Sequence, residues 1–287
     1  MESASSYVPE VPPFRQSGVI GAESWRLTSK VAELWQYREL FYFLVWRDVK
    51  VRYAQSVMGI GWATIQPLVP MILFTIIFGR VAKISSDGVP YALFSLAGLV
   101  PWTYFSNSLN DSSVSVVKEV SMLSKIYFPR LIIPLTAVLG RLLDLAISFL
   151  MLFVLMAWYQ VAPTLSVVVV LPLLVLITIV TASGLGMWLS ALAVQYRDVR
   201  YALPFAVQFL MYAAPVVYPT SLIPGRFRYF YAINPLVGVI EGFRATLLQS
   251  GPIPWDLIGI GSASAVLMLW FGSVYFFGKE TVFADVA

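Results

Sequence analysis

The chain has 287 residues, of which 59% are hydrophobic and only 12% are charged, and its formal net charge is +4. Soluble domains carry about 25% charged residues, so this composition is typical of an integral membrane protein. The chain contains neither cysteine nor histidine. Disulfides, thiol nucleophiles, imidazole bases and the usual zinc sites are therefore excluded, and with them most classes of enzyme.

The N-terminal region divides into two parts. Residues 1–29 are rich in serine and proline and hold no apolar core, which predicts a disordered cytosolic tail rather than a signal peptide. In residues 30–56, charged side chains are interleaved with aromatic and aliphatic ones. The apolar stretch between Glu39 and Arg47 is far shorter than the roughly 20 residues that a span needs. This pattern predicts an amphipathic helix in the membrane interface that leads directly into the first span.

Long uncharged runs predict a transmembrane domain over 57–280. The run 145–196 is too long for one helix, and 162–164, which contains a proline, is the expected turn within it. The predicted transmembrane helices are 57–79, 89–110, 131–158, 165–195, 202–220 and 257–278. Thirteen of the 19 Lys and Arg residues then fall on the side of the N terminus and five on the opposite side. The positive-inside rule places both termini, including 281–287, in the cytosol.

Two charged residues, Arg141 and Asp144, lie about 15–20 Å into the predicted third span. Charges at this depth are costly and usually face the interior of a helix bundle. Their i, i+3 spacing favours mutual pairing. The pair is consistent with a site on a transport route, and equally with a structural ion pair that holds helices together. Direct pairing predicts that reversing both charges partly restores what reversing Asp144 alone impairs.

Two segments between the spans have helical character. Cytosolic segment 111–130 has apolar residues near helical spacing after a cap at Asp111 or Ser112, and it fits either a docking helix for a soluble partner or a solvated connector. Outer segment 221–255 contains an apolar stretch, 233–244, that is too short and too polar to span the membrane. It fits re-entrant helices covered by protein, or an amphipathic helix on the membrane surface.

The sequence contains no nucleotide-binding loop, since the nearest approach, at 272–280, has the wrong spacing and the wrong final residue. Energy for active transport must then come from another subunit. An ion-coupled carrier usually needs several buried charges, and an enzyme of glycan or lipid metabolism needs clustered carboxylates, whereas the cytosolic acids here are scattered. Such an enzyme, or a small-solute channel or carrier, is the alternative to an energised exporter.

Four stretches, at 47–53 with 59–62, at 98–105, at 125–130 and at 234–244, carry a resemblance in this order. Together they resemble the permeases of type-two ABC exporters that move polysaccharides, the O-antigen, capsule and teichoic acid export family. The resemblance covers about residues 30–280. It implies an all-α integral membrane fold with six transmembrane helices, an N-terminal amphipathic interface helix, and outer re-entrant helices between the fifth and sixth spans.

The resemblance also implies partners. The subunit would form a homodimer in the bacterial plasma (inner) membrane and bind two copies of a separate ABC ATPase. That ATPase would hold ATP and Mg, while this chain would bind no cofactor and no metal. The substrate would be a lipid-linked polysaccharide exported across the membrane.

Site residues follow from the same resemblance. Residues 31–53 would match the interface helix, 112–128 the ATPase-coupling segment and 222–250 the re-entrant helices, while the first and fifth spans would line the channel. The aromatic residues otherwise fit an interfacial belt or helix packing. The implied coupling residues are Arg47, Asp48, Lys118, Glu119 and Lys125. The implied channel residues are Trp62, Phe74, Phe205, Phe209 and Tyr212, and those of the re-entrant segment are Asn234, Pro235, Glu241 and Arg244.

Overall fold

A computed structural model of the chain describes residues 33–54, 58–59, 61–123 and 128–280. Within these residues the fold is all-helical, as predicted, and no strand is present. The predicted tail at 1–29, the C-terminal residues 281–287 and Lys125 lie outside the described residues. The helices are α1 (Arg38–Ala54), α2 (Gly61–Phe74, continued by the π-helix Thr75–Val81), α3 (Tyr91–Lys118), α4 (Val120–Leu123), α5 (Ile132–Leu139), α6 (Leu142–Trp158), α7 (Val167–Gln195), α8 (Asp198–Tyr212), α9 (Gly225–Tyr231), α10 (Pro235–Leu248) and α11 (Trp255–Gly278).

Within the described residues, four helical stretches are long and apolar enough to cross a membrane. They are Gly61–Val81, Ile132–Trp158, Val167–Gln195 and Trp255–Gly278. Each lies within a few residues of a predicted span, and together they make the chain a multi-pass membrane protein. The two remaining predicted spans correspond to α3 and α8.

Helix α3 is longer than the predicted second span. It continues without a break past Asp111 and Ser112 to Lys118, so the prediction that either residue caps a separate helix is wrong. The serine hydroxyls do not compete for the backbone amides here. Ser112 Oγ donates to the carbonyl of Pro134 at 3.1 Å, and Ser115 Oγ donates to the carbonyl of Ser112 at 2.7 Å.

Helix α8 is shorter than the predicted fifth span. It ends at Tyr212, so the prediction of one helix over 202–220 is wrong in its C-terminal part. Pro215 disfavours a helical backbone at Ala214, and the chain turns inward after the helix. Val216 and Val217 are consequently buried in the core.

The predicted third span consists of two helical pieces, α5 and α6, joined at Gly140 and Arg141. The turn predicted at 162–164 is confirmed, because it lies between α6 and α7. Thr164 N donates to the carbonyl of Thr246 at 2.9 Å, and Gln249 Nε2 donates to the carbonyl of Ala162 at 2.9 Å. This turn is thereby attached to the C-terminal end of α10.

The core is centred on α3 and α7, which pack against each other along much of their length. Helix α11 crosses α7 at Gly184 and Gly272, where a Cβ on either glycine would overlap the backbone of the other helix. Helix α10 packs against α3, α7 and α11, and α1 packs against α5. Helix α3 therefore extends from the surroundings of α10 to the neighbourhood of α1.

Candidate functional site

A cluster of four alternating charges lies where α1, α3 and α6 meet. Arg141 contacts both acids: its guanidinium lies 2.6 Å from Asp111 Oδ2 and 2.9 Å from Asp144 Oδ2. Arg52 completes the cluster at 3.4 Å from Asp111 and 3.5 Å from Asp144. The i, i+3 contact that the sequence suggested is thus one side of a charge-balanced network. Removing one member of this network leaves its charges unbalanced. Only Asp144 of the four residues is fully buried, so solvent screens part of the resulting cost.

Helix α1 provides two residues of this network. Arg52 Nη1 donates to the carbonyl of Gly140 at 2.8 Å, at the joint between α5 and α6. The Tyr53 hydroxyl donates to Asp144 Oδ1. Burial and this hydrogen bond raise the pKa of Tyr53 to about 12, so the hydroxyl stays protonated and remains a donor at neutral pH. Sequence reasoning missed both residues, although their place in the amphipathic helix was a usable signal.

A second contact joins α1 to the end of α3. Arg47 Nη2 lies 2.5 Å from Glu119 Oε1 and 3.1 Å from Asp48 Oδ1. Burial lowers the pKa of Arg47, but the hydrogen bonds to Glu119 and Asp48 outweigh it and the net shift is upward. Beside this contact, Leu44 is buried in an apolar cluster with Val116. The two helices are therefore held together by apolar packing and by an ion pair.

These residues surround an open cleft of about 590 Å³. The predicted coupling residues Arg47, Asp48, Lys118 and Glu119 all line it, although they come from two helices about 70 residues apart in sequence. Their neighbours in the wall include Arg52, Asp111 and Arg141 of the charged cluster. A cleft lined by both acidic and basic side chains suits a polar protein surface better than an apolar ligand.

The predicted channel aromatics separate into two groups. Phe205, Phe209 and Tyr212 lie on the exposed face of α8, and Phe209 is 76% exposed. Trp62 is also exposed, near the start of α2. Phe74 is different: it is buried in the core of this chain, and its ring packs edge-on against that of Phe78. Phe74 therefore does not share the exposed face on which the other four residues lie, and its assignment to a channel wall stays a prediction.

The outer segment is anchored by its own sequence signals. Asn234 accepts a hydrogen bond from Leu236 N at 3.1 Å, and Pro235 occupies the first turn of α10. An N-cap asparagine followed by proline is a strong helix start. Thirteen of the 14 residues of α10 are buried, which argues against an amphipathic helix lying on the surface.

Arg244 on α10 connects this helix to three other parts of the fold. Its side chain is only 1% exposed, and it pairs with Glu241 at 3.0 Å. Nη2 donates to the carbonyl of Val216 at 2.8 Å, and Nε donates to the carbonyl of Phe94 at 3.3 Å. The guanidinium also lies 3.5 Å from the centroid of the Phe94 ring. The sequence singled out Glu241 and Arg244, but it did not indicate these long-range partners.

The model of the ABC-2 type transporter family matches residues 39–248. An O-antigen export system permease protein, RfbA, of Myxococcus xanthus is 30% identical over 258 residues, covering 89% of this chain and 98% of the relative. A protein of the same name from Klebsiella pneumoniae is 27% identical over 84% of this chain and 92% of the relative.

A more distant relative extends the comparison. The polysialic acid transport protein KpsM of Escherichia coli is 24% identical over 210 residues, covering 70% of this chain and 78% of the relative. The family match includes α1, the charged cluster and α10, and so contains every part of the site described above. The predicted family resemblance is confirmed: the chain belongs to the ABC-2 type transporter family.

Proposed function

We propose that this chain is the transmembrane permease subunit of an ATP-driven exporter of lipid-linked polysaccharide. As a member of a transporter family it is a transport subunit rather than an enzyme. The names of its relatives, O-antigen export permease and polysialic acid transport protein, support a polysaccharide as the cargo. The observation that carries the proposal is the Arg47–Glu119 contact, which joins the amphipathic first helix to the end of α3 beside an open cleft lined by charged and apolar residues.

In the proposed topology, six helices cross the bacterial inner membrane and both termini face the cytosol. Helix α3 has 28 residues and is about 42 Å long, more than the roughly 30 Å of the hydrocarbon core. Helix α8 has 15 residues, about 22 Å, and the inward-turned residues after it cover the remaining depth. The excess of Lys and Arg on the side of the N terminus supports this orientation.

A separate ABC ATPase is the proposed partner, with ATP and Mg bound to it and not to this chain. It would dock at the cleft between α1 and the end of α3, where Lys118 and Glu119 are accessible. The homodimer with two ATPase copies rests on the family resemblance. The exposed aromatic face of α8 is consistent with a second copy facing it across a channel.

The charged network offers a route for motion from the ATPase to the spans. A displacement of the α3 end would pull α1 through Arg47 and Glu119. Helix α1 in turn holds the joint between α5 and α6 through Arg52. In the proposed mechanism this unit moves together, so the spans shift relative to α8 as the ATPase cycles. Helix α10, buried at the other end of α3, would act as the outer re-entrant element.

Co-purification tests the proposal directly. The chain should be tagged at its chromosomal locus in the native host, and it should then retain an ATP-binding subunit through detergent extraction. A strain from which the chain is deleted should lose surface polysaccharide, and lipid-linked glycan should accumulate inside the cell. Glu119→Arg should weaken retention of the ATPase. Arg226→Glu, a charge change of the same kind on the other side of the proposed topology, should leave retention intact. A chain that is fully active without any nucleotide-binding partner would refute the proposal.

A further inference from the structure

Helix α3 carries a stripe of polar side chains on a face that is otherwise not needed for the core. Thr103, Ser106, Asn107 and Asn110 follow one another at helical spacing and are only half-buried, while Trp102, Tyr104, Phe105 and Leu109 between them are buried. These four accessible polar residues contribute, together with the buried serines of the same helix, to making α3 less apolar than the other long helices. This face looks toward α2.

The stripe meets an amide on α2. Asn107 Nδ2 donates to Gln66 Oε1 at 2.8 Å. Each of these two side chains keeps a free polar group, because within the described residues the amino group of Gln66 and the carbonyl oxygen of Asn107 have no protein partner. Gln66 is exposed and Asn107 is half-buried, and neither atom is among the buried polar atoms of the described residues that lack a hydrogen-bond partner. Both groups are therefore open to the space beside the helices.

Gln66 stands out against the rest of the exposed face of α2. Val69, Leu73 and Ile76, which follow it at helical spacing, are about half-exposed and apolar. Polar groups without partners are not tolerated against lipid tails, and at membrane depth they face protein or a wet cavity. The free groups of Gln66 and Asn107 therefore indicate that this part of the α2–α3 pair faces protein or a wet cavity rather than lipid.

An aromatic ring completes the arrangement. Trp62 lies one helical turn before Gln66 and is 49% exposed. Both residues line a cavity of about 220 Å³ together with Arg52, Arg141 and Asp144. Asn107 is outside this lining and is joined to it through its hydrogen bond to Gln66. The cavity is far larger than the roughly 10–15 Å³ that one water requires. An indole face beside amide donors and acceptors suits a sugar ring, whose C–H face packs on the aromatic ring and whose hydroxyl groups pair with the amides.

We propose that Trp62, Gln66 and Asn107 form a subsite for a sugar ring on the transport path, with the two amides as hydrogen-bonding partners of glycan hydroxyl groups. The inference rests on the proposed function, since it takes the polysaccharide as cargo. The competing explanation is that the amide pair only holds α2 and α3 together, as interhelical amide bonds do. That explanation requires a dry environment for Gln66.

Cysteine accessibility separates the two explanations, because the natural chain contains no cysteine. Gln66→Cys and Asn107→Cys, expressed with the ATPase partner, are expected to react with a charged, membrane-impermeant methanethiosulfonate reagent in inside-out vesicles. Val274→Cys is the matched control: it is exposed and apolar, and it lies four residues from the end of α11, as Gln66 lies five residues from the start of α2. No reaction at position 66, or reaction equal to that of Val274→Cys, would overturn the subsite.

Export of the native glycan by the producing strain, measured as surface carbohydrate, is the second test of the subsite. Gln66→Leu is expected to lower surface carbohydrate roughly two- to tenfold, the range that follows from losing one neutral hydrogen bond. The exchange of both amides, Gln66→Asn with Asn107→Gln, should recover export, and Val274→Leu should not change it. Export by Gln66→Leu at the natural level would overturn the subsite. A natural chain that exports no glycan would instead refute the proposed function, so the two failures are distinguishable.

A melting measurement on the purified permease–ATPase complex guards against a structural explanation. If Gln66→Leu lowers export only in proportion to a lower melting temperature, the amide pair is a packing contact and the subsite is refuted. If export falls while the melting temperature stays within a few degrees of the natural complex, hydrogen bonding to the cargo accounts for the loss.

Discussion

Arg47 and Glu119 are 72 residues apart in sequence, and their side chains lie 2.5 Å apart between α1 and the end of α3. Both side chains remain about one third exposed, so solvent screens the pair and its contribution to stability is modest. Its value lies in where it is placed, since it joins the helix that meets the membrane surface to the proposed site of ATPase contact.

Reversing this pair should impair coupling more than stability. Arg47→Glu or Glu119→Arg alone is expected to lower glycan export several-fold, with a loss of about 1 kcal/mol or less in stability for a part-exposed pair. The double variant, Arg47→Glu with Glu119→Arg, should recover part of the export because the attraction is restored in reverse. Surface carbohydrate in chromosomal variants measures this. A double variant that is no better than either single variant would argue against direct coupling through the pair.

The charged cluster predicts a different result for Asp144. Asp144→Asn leaves the half-buried Arg52 and Arg141 to share one carboxylate, that of Asp111. The network then carries an excess positive charge, which costs more than the loss of a surface ion pair. We expect a melting temperature lower by several degrees. Asp256→Asn is the control, because Asp256 pairs with Arg228 at 3.4 Å on the surface, where such pairs contribute about 0–1 kcal/mol. Equal effects of the two variants would contradict the cluster.

The same geometry changes the expectation for the double reversal. An isolated pair would be partly restored by Arg141→Asp with Asp144→Arg. In the structure, however, Arg141→Asp puts a carboxylate beside Asp111, and Asp144→Arg puts a guanidinium beside Arg52. Two like-charge contacts replace two attractive ones, so the double variant should be at least as unstable as Asp144→Asn. The melting temperature of the double variant, compared with those of the single variants, tests this expectation. A double variant more stable than the single variants would mean that Arg52 and Asp111 do not interact with Arg141 and Asp144.

Tyr53 gives a prediction about pH. Burial and the hydrogen bond to Asp144 raise the pKa of Tyr53 to about 12, above the ordinary value of 10.0. A raised tyrosine pKa means that the folded state favours the protonated hydroxyl. This contribution is fully present below pH 10 and is lost as the pH rises through 12. The difference in thermal stability between the natural chain and Tyr53→Phe should therefore stay constant from pH 6 to about pH 9. A difference that disappears within this range would contradict the hydrogen bond.

Any side chain at position 98 is predicted to lower the stability of the fold. A Cβ at this position would lie 2.9 Å from Nη2 of Arg244 and 3.2 Å from the carbonyl oxygen of Val216. Arg244 is held by several hydrogen bonds and cannot move aside freely. Overpacking of this kind typically costs about 1–3 kcal/mol. Gly98→Ala should lower the melting temperature, whereas Gly259→Ala, at a helical glycine with open space around it, should leave it unchanged or raise it. The reverse order would contradict the close approach of Gly98 to Arg244.

Several parts of the fold were predictable because their signals are local. The length of an apolar run selects a membrane-spanning helix, and the four candidate spans follow from it. A proline between two long apolar runs indicates the turn at 162–164. Asn234 before Pro235 predicts the start of α10. Each of these signals lies within one or two helical turns, where hydrogen bonding and backbone sterics act directly.

The ends of α3 and α8 were not predictable from charge alone. A charged residue need not mark the end of a helix when an opposite charge neutralises it, and Asp111 pairs with two arginines from other parts of the fold. The helix therefore continues past it. The position of Phe74 was not predictable for a similar reason. The sequence pattern of an aromatic residue in a span is the same whether the side chain faces a channel or the core, and the packing of α2 against α3 and α6 buries Phe74 within this chain.

The sequence alone determined that this is a helical membrane protein, which of its stretches are long and apolar enough to span, and which family it resembles. These conclusions depend on composition and on short-range order. The tertiary structure decided that Arg141 and Asp144 belong to a four-charge cluster with Arg52 and Asp111, that α10 is buried, and that Gln66 meets Asn107. Those contacts join residues 30 to 150 positions apart. Partners at such distances are chosen by how the helices pack, because the energetic cost of an unpaired charge or amide is settled only by what lies beside it in space.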